Sequence, residues 1–212
     1  MKAKFKQPFP ERQIRAHFTE EFIRVYQAYN EPIALSAVEN QNFSLAPKYN
    51  NKRMTWIKPS WCWMAYRCGY SYKGYHQSHV LAIDLDRKMF DEVILKSAVL
   101  ASQQSINTEA ESKRNEKENA TLSDVIIQWD PERDVALNKL EYRSIQIGIR
   151  GNVARRFIEG ELIRKITDVT EQFQNAFGFI NNGKIEEANK LLPLEIEYPV
   201  VDDEIQKKLL IS

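Results

Sequence analysis

Three segments of this chain carry more polar function than a hydrophobic core requires. In the first, Arg15 precedes a stretch with Tyr26, Gln27 and Tyr29, and a buried amide there would need hydrogen-bond partners. A structural hydrogen bond at a sheet edge would explain the same residues.

The second segment combines cations and hydroxyl groups with three tryptophans. This mixture suits a nucleotide, because rings stack on a base while Lys and Arg meet phosphates. A packed helix whose cations extend their charged ends to solvent is the alternative. The polar members of this segment are Thr55, Lys58, Ser60, Tyr66 and Arg67.

The third segment surrounds the end of a predicted strand, where a rigid scaffold often holds functional groups. Glu132 and Glu141 supply carboxylates there, and a salt-bridged turn would explain the same composition. The members of the segment are Gln128, Trp129, Asp130, Glu132, Arg133, Asp134, Glu141, Arg143, Ser144 and Gln146.

Familiar site signatures do not occur in the sequence, which contains no glycine-rich phosphate loop, HExxH, GxSxG or GxGxxG. His76 and His79 have no third and fourth ligand nearby, so we expect a loop pair and no metal. Cys62 and Cys68 are expected to be reduced thiols.

The 212 residues, 43% hydrophobic and 28% charged, indicate one folded domain over residues 1–212 that needs no metal or disulfide to stay folded. The net charge of +1 gives no argument for a nucleic-acid or membrane partner. Residues 1–75, however, hold 12 Lys and Arg against 5 Asp and Glu, while the rest holds 18 against 24. This asymmetry indicates either a basic face for phosphates or two halves that neutralise each other.

No apolar run long enough for a signal peptide or a membrane span is present, which predicts a cytoplasmic protein. The sequence predicts no oligomeric state.

Hydrophobic periodicity predicts a mixed series of strands and helices. Ser60 is expected to cap a helix over 61–68, and Asp130-Pro131 to end a strand in a turn. Residues 102–124 are expected to form an exposed polar insertion or loop. The irregular order favours an α+β domain with a mixed or antiparallel sheet and flanking helices over a doubly wound fold. Strands are predicted at 22–29, 54–57, 80–85, 125–129, 142–149 and 162–166, helices at 31–38, 61–68, 87–101 and 152–160, and a helical pair or one broken helix at 169–192.

Several stretches together resemble the domain of unknown function 4291 family. They are IRAHFTEEFIRVYQAYNEPIALSAVENQNF, RMTWIKPSWCWMAYRCGY, VLAIDL, QWDPERD, YRSIQIG and LLPLEIEYPV. The likeness covers nearly the whole chain and implies no activity by itself.

The order of VYQAY, a helix, MTWIKPSWCWMAY and VLAIDL also resembles that of ADP-ribosyltransferase-like domains. The resemblance implies a split sheet and NAD binding. It would place Tyr26 and Gln27 by the nicotinamide ribose, Thr55 and Ser60 in a second motif, and Glu132 or Glu141 as the acid. Arg15, Lys58 and Arg143 would meet the pyrophosphate.

Three functional hypotheses follow. The first is an NAD-dependent ADP-ribosyltransferase-like enzyme acting on a nucleic-acid or protein acceptor, which needs a carboxylate for its cationic transition state. The second is a non-catalytic nucleotide- or nucleic-acid-binding module that uses the basic, aromatic N-terminal half. The third is a metal-dependent phosphodiesterase with Asp84, Asp130 and Glu132 as ligands. An interaction protein with a purely structural role is a further alternative.

Overall fold

Two sheets meet edge to edge in this computed structural model, which describes residues 10–102 and 123–212. The strands are β1 (Arg15–Ala16), β2 (Phe22–Tyr29), β3 (Thr55–Ile57), β4 (His79–Asp86), β5 (Ala98–Leu100), β6 (Val125–Arg133), β7 (Lys139–Ile149), β8 (Ile163–Asp168) and β9 (Ile196–Glu197). The first sheet has the order β2-β4-β8 and the second β3-β7-β6-β5, while β1 pairs with β9. All pairings of these strands are antiparallel except that of β5 with β6.

Helices flank both sheets, which makes the chain an α+β domain. The third helix continues directly into a π-helical segment, Phe90–Leu95, and a 3₁₀ turn spans Tyr75–Gln77. None of the described helices has the length and hydropathy needed to cross a bilayer. The helices are α1 (Glu31–Asn40), α2 (Trp61–Cys68), α3 (Arg87–Met89), α4 (Gly151–Ile158), α5 (Thr170–Asn181), α6 (Ile185–Lys190) and α7 (Asp203–Leu209).

One residue pair joins the backbones of the two sheets. The Tyr26 amide donates to the Lys58 carbonyl at 2.7 Å, and the Lys58 amide donates to the Tyr26 carbonyl at 3.3 Å. Tyr26 lies within β2, and Lys58 is the first residue after the end of β3. The sheet expected from the sequence as mixed or antiparallel is therefore divided into two, and strands β2 and β3 face each other at the division.

The two faces of the four-stranded sheet differ in polarity. Ile57, Ile127, Ile145 and Ile147 project into the larger hydrophobic core. A second apolar cluster lies under α2 and α5, with Trp61 stacked on Phe173 at 4.1 Å between ring centroids. Because side chains alternate along a strand, the residues between those isoleucines lie on the opposite face.

The predicted elements at 22–29 and 61–68 have the bounds that the sequence indicates. The predicted turn at Asp130-Pro131 is wrong, because β6 continues to Arg133 through an irregularity in its pairing with β7. Proline is tolerated in a strand at such a bulge. The predicted helix at 87–101 is partly wrong, since it ends after the π-helical segment and gives way to β5. Most of the predicted insertion at 102–124 lies outside the described residues.

Candidate functional site

A row of polar side chains covers the face of the four-stranded sheet that is turned away from the larger core. Cross-strand partners place Trp56 beside Gly148, and Gln128 beside Gln146. Asp130 pairs with Ser144 one step further along, and side chains of such pairs share a face. We call this set the polar strip. Its members are Trp56, Lys58, Ser60, Gln128, Asp130, Glu132, Ser144 and Gln146.

Glycine at position 148 makes room for Trp56. A Cβ at this position would lie 3.0 Å from the indole Cη2 of Trp56 and 2.7 Å from Sδ of Met54. Carbon atoms at 3.0 Å are in repulsive overlap. The bare backbone of β7 at Gly148 therefore leaves room for the indole of Trp56 next to it.

Glu132 is the most buried carboxylate of the polar strip, with only 6% of its surface exposed. Its Oε1 accepts from Ser60 Oγ at 3.0 Å and from the Arg133 amide at 2.7 Å, and Ser144 adds a further side-chain hydrogen bond. Burial raises the pKa of Glu132, and these donors partly offset the rise.

Glu195, a half-buried residue, adds a second carboxyl group that the sequence-based set of site residues missed. Its Oε1 accepts from the Trp61 amide at 2.7 Å, in the first turn of α2, and Arg15 Nη2 donates to the Glu195 carbonyl at 3.2 Å. Burial, followed by the charge of Glu132, raises the pKa of Glu195 well above its ordinary value. Two carboxyl groups thus share the N-terminal end of α2, where negative charge is favoured. The only sign of Glu195 in the sequence was an acidic residue between two apolar ones, Leu194 and Ile196.

Lys58 is a cationic side chain that is only 5% exposed, and few polar groups around it offset the cost of burying its charge. Its Nζ donates to the Trp56 carbonyl at 3.2 Å and lies 5.4 Å from the centroid of the Trp63 ring. Burial lowers the pKa of Lys58 to about 7, helped by the charge of Arg67 and opposed by that of Asp130. A lysine of this kind binds an anion strongly or exchanges a proton near neutrality.

Asp130 and the two glutamines form the open part of the polar strip. Gln146 Nε2 donates to Gln128 Oε1 at 2.9 Å and to Asp130 Oδ2 at 2.6 Å. Burial raises the pKa of Asp130, while Gln146, Lys58 and Arg143 lower it. The row therefore presents amide and carboxylate groups next to the Trp56 ring.

Gln27 joins the two sheets at their junction. Its Nε2 donates to Thr55 Oγ1 at 2.6 Å and to the Trp56 carbonyl at 3.1 Å, and its Oε1 accepts from the Tyr29 hydroxyl at 2.9 Å. The Tyr29 and Tyr49 hydroxyls lie 3.4 Å apart, and burial raises the pKa of Tyr29 well above its usual range. Both N–H donors of the Gln27 amide thus hold β3 against β2.

The remaining predicted residues lie at the margins of the polar strip. Tyr26 points into the second apolar cluster, with its ring edge on Phe173. Arg143 contacts Glu11 at 3.1 Å and the Trp129 carbonyl at 3.1 Å, and Glu141 is exposed on β7. The other two, Tyr66 and Arg67, lie near the C-terminal end of α2, where the Arg133 guanidinium is 3.9 Å from the Tyr66 ring centroid.

The three acids suggested as metal ligands do not come together. Asp84 lies on β4 in the other sheet and forms a two-point ion pair with Arg24, at 2.7 and 2.9 Å. Within residues 10–102 and 123–212, no group of three or more His, Cys, Asp or Glu side chains is arranged to hold a metal ion.

Two surface cavities lie elsewhere on the domain. One of about 650 Å³ is bounded by the ends of α5 and α6 and includes Phe179 and Ile185. The other, about 450 Å³, is lined by Asp86, Met89 and Arg164, among others. Neither includes a residue of the polar strip, whose residues form a sheet face.

The fold and site define an α+β protein with buried ionisable groups at the junction of two sheets. The chain matches the family model described as "Domain of unknown function (DUF4291)" over residues 13–198 and belongs to that family. A search of the curated proteins found no match.

Proposed function

We propose that this protein is an NAD-dependent ADP-ribosyltransferase-like enzyme whose carboxylate is Glu132. The observation that carries the proposal is the convergence of Lys58, Ser60 and Glu132 on one sheet face beside the junction of β2 and β3. Ser60 and Glu132 are 72 positions apart in sequence, so only the fold brings Glu132 to the segment that carries Lys58 and Ser60.

The groups of the polar strip match the chemical parts of NAD. The half-buried Trp56 ring offers a surface on which a nicotinamide or adenine ring stacks. The buried Lys58 ammonium makes one hydrogen bond within the described part of the chain, to the Trp56 carbonyl, and so has further donors for a pyrophosphate. Gln128 and Gln146 offer amide groups to ribose hydroxyls. We assign Arg15 to charge balance near Glu132 and Glu195 rather than to the pyrophosphate.

The reaction breaks the bond between nicotinamide and ribose C1′, with the bonding electrons leaving on nicotinamide. Positive charge then develops on the ribose ring, and a preorganised carboxylate stabilises it. An acceptor O–H or N–H adds to C1′ and gives its proton to Glu132. Ser60 keeps that carboxylate oriented, because its hydroxyl donates to Glu132 while it accepts from the helix amide of Trp63.

Nicotinamide release from NAD by the purified chain tests the proposal. We expect measurable release, and a loss of at least about 100-fold in Glu132→Gln, the usual size of an electrostatic catalytic contribution. Glu132→Gln keeps an oxygen for the Ser60 and Arg133 donors, so the fold should remain intact.

Glu141→Gln is the matched control, since Glu141 is exposed on a neighbouring strand. Equal activity in Glu132→Gln and wild type would refute the assignment of Glu132. Loss in Glu141→Gln alone would move the catalytic role to that residue. A rise in melting temperature with NAD but no nicotinamide release would replace the enzyme by a nucleotide-binding module.

A further inference from the structure

The surface around the C-terminal end of α2 has a composition unlike the rest of the chain. Residues 40–83 contain six Lys and Arg and no Asp or Glu. Within that stretch, Tyr66 and Tyr75 are 42% and 64% exposed, and Arg67 and Lys73 are exposed between them in sequence. Large exposed aromatic rings interleaved with cations are typical of a binding surface.

Contacts within the fold gather these residues around one helix end. Arg67 Nη1 lies 3.4 Å from Gln77 Oε1, which brings the 3₁₀ turn carrying Tyr75 against α2. The Lys73 amide donates to the Cys68 carbonyl at 3.1 Å, so the loop folds back on the helix. We call Tyr66, Arg67, Lys73, Tyr75 and Arg133 the α2-end patch.

Arg133 reaches this patch from the end of β6. Its guanidinium lies 3.9 Å from the centroid of the Tyr66 ring, and Nη1 donates to the Leu137 carbonyl at 3.3 Å. Its Nε has no hydrogen-bond partner among the described residues. The neighbouring acid, Asp134, is occupied by the amide and side chain of Asn138. Among the described residues, the Arg133 cation is therefore stacked on a ring and forms no ion pair with a carboxylate.

We propose that the α2-end patch binds single-stranded nucleic acid. Single strands expose bases that stack on tyrosine rings, and their phosphates are neutralised by Lys and Arg. Duplexes keep their bases stacked inside, so they offer only phosphates to the same surface. Because exposed rings lie on both sides of Arg67 and Lys73 in sequence, the patch offers stacking surfaces as well as charge, which favours the single strand.

The α2-end patch also adjoins the polar strip. The positive charge of Arg67 lowers the pKa of Lys58. Tyr66 contacts Trp63, and the Trp63 ring lies next to Lys58 Nζ. A single-stranded nucleic acid bound at the C-terminal end of α2 would extend toward Glu132. If the proposed ADP-ribosyl transfer holds, the acceptor class is then a single-stranded nucleic acid.

Fluorescence anisotropy with a labelled single-stranded RNA and DNA of about 12 nucleotides tests this, because a binding groove of this type covers roughly 4–16 nucleotides. The full chain is titrated without NAD between about 50 mM and 200 mM salt. We expect binding that weakens with salt. Wild-type chain that fails to bind either oligonucleotide at the lowest salt would overturn the proposal.

The triple variant Arg67→Gln, Lys73→Gln, Arg133→Gln removes the three cations of the patch. We expect at least tenfold weaker binding and a logarithmic salt slope shallower by about 2, since each phosphate contact on a single strand contributes about 0.7. Lys184→Gln, Lys190→Gln, Lys207→Gln is the matched control, with the same change in charge at exposed positions in or next to other helices. Equal losses in both triple variants would contradict a localised site.

Tyr66→Ala and Tyr75→Ala separate stacking from charge. Each should weaken binding roughly tenfold, the effect of losing one base stack, while Leu194→Ala at another exposed apolar position should not. Unchanged affinity in both tyrosine variants, together with equally tight binding of polyglutamate, would show a general polyanion surface and overturn the proposal. Oligonucleotide binding without nicotinamide release would refute only the proposed reaction, and nicotinamide release without oligonucleotide binding only this inference.

Discussion

Ser60 links the N-terminus of α2 to the carboxylate of Glu132. Its Oγ accepts from the Trp63 amide at 3.0 Å and donates to Glu132 Oε1 at 3.0 Å. A helix cap and a buried acid thus depend on one hydroxyl group. The orientation of the acid follows from where the helix begins, which the sequence places at Trp61.

Ser60→Ala should destabilise the fold by about 2 kcal/mol, because it removes the helix cap and also a donor to a buried carboxylate. Asn30→Ala is the matched control, since Asn30 caps α1 through the Ile33 amide at 3.2 Å without touching a buried acid. It should cost about 1 kcal/mol. Urea unfolding measures both, and equal costs would mean that Glu132 does not rely on Ser60.

Glu195→Gln should raise the melting temperature at neutral pH by roughly 2–4 °C, the shift that about 1 kcal/mol produces in a chain of this size. The pKa of Glu195 is raised in the fold by burial and by Glu132, so the folded state favours its protonated form. The wild type therefore loses stability as the pH rises from the ordinary value of 4.5 through the raised pKa.

Glutamine does not titrate, yet it keeps an oxygen for the Trp61 amide. The advantage of Glu195→Gln should vanish below the ordinary glutamate pKa of 4.5. Thermal unfolding across this pH range measures it. A constant difference between variant and wild type at every pH would show that the charge of Glu195 plays no part.

Lys58→Met should stabilise the fold at neutral pH by on the order of 2 kcal/mol while weakening NAD binding. The pKa of Lys58 is lowered from 10.5 to about 7 by burial, so the cost of holding the cation is complete below pH 7. The free energy of unfolding of the wild type then rises between about pH 7 and pH 10.5. The difference in this free energy between the variant and the wild type should vanish above pH 10.5. Chemical unfolding at several pH values measures this, and a gap that stays open at high pH would contradict a titrating Lys58.

Gly148→Ala should cost about 1–2 kcal/mol and displace Trp56, because the new Cβ would press on the indole at 3.0 Å. Gly178→Ala is the matched control in α5, where a Cβ meets no atom within 4 Å. There alanine should stabilise the helix by about 0.5–1 kcal/mol. Thermal unfolding and tryptophan fluorescence measure the two effects, and an unaltered emission spectrum in Gly148→Ala would mean that Trp56 does not lie against β7.

The sequence by itself determined the local elements whose signals are local. Alternation in Phe22–Tyr29 predicted β2, and Ser60 predicted the start of α2, because capping and side-chain period act over a few residues. It also singled out Lys58, Ser60, Glu132, Ser144 and Gln146. Ser144 and Gln146 share the polar strip with Asp130 and Gln128 because the period of two in each strand assigns them to one face once the strands are paired. Ser60 joins the strip through its hydrogen bond to Glu132.

Only the tertiary structure decided which of these groups meet. The bulge that carries β6 past Pro131 brings Glu132 to Ser60, and a two-residue pairing of β1 with β9 brings Glu195 to the same helix end. Burial, which sets the raised pKa of Glu195 and the lowered pKa of Lys58, depends on everything packed around each group. Residue type alone carries no record of that packing, so the charge state of the site is a property of the fold.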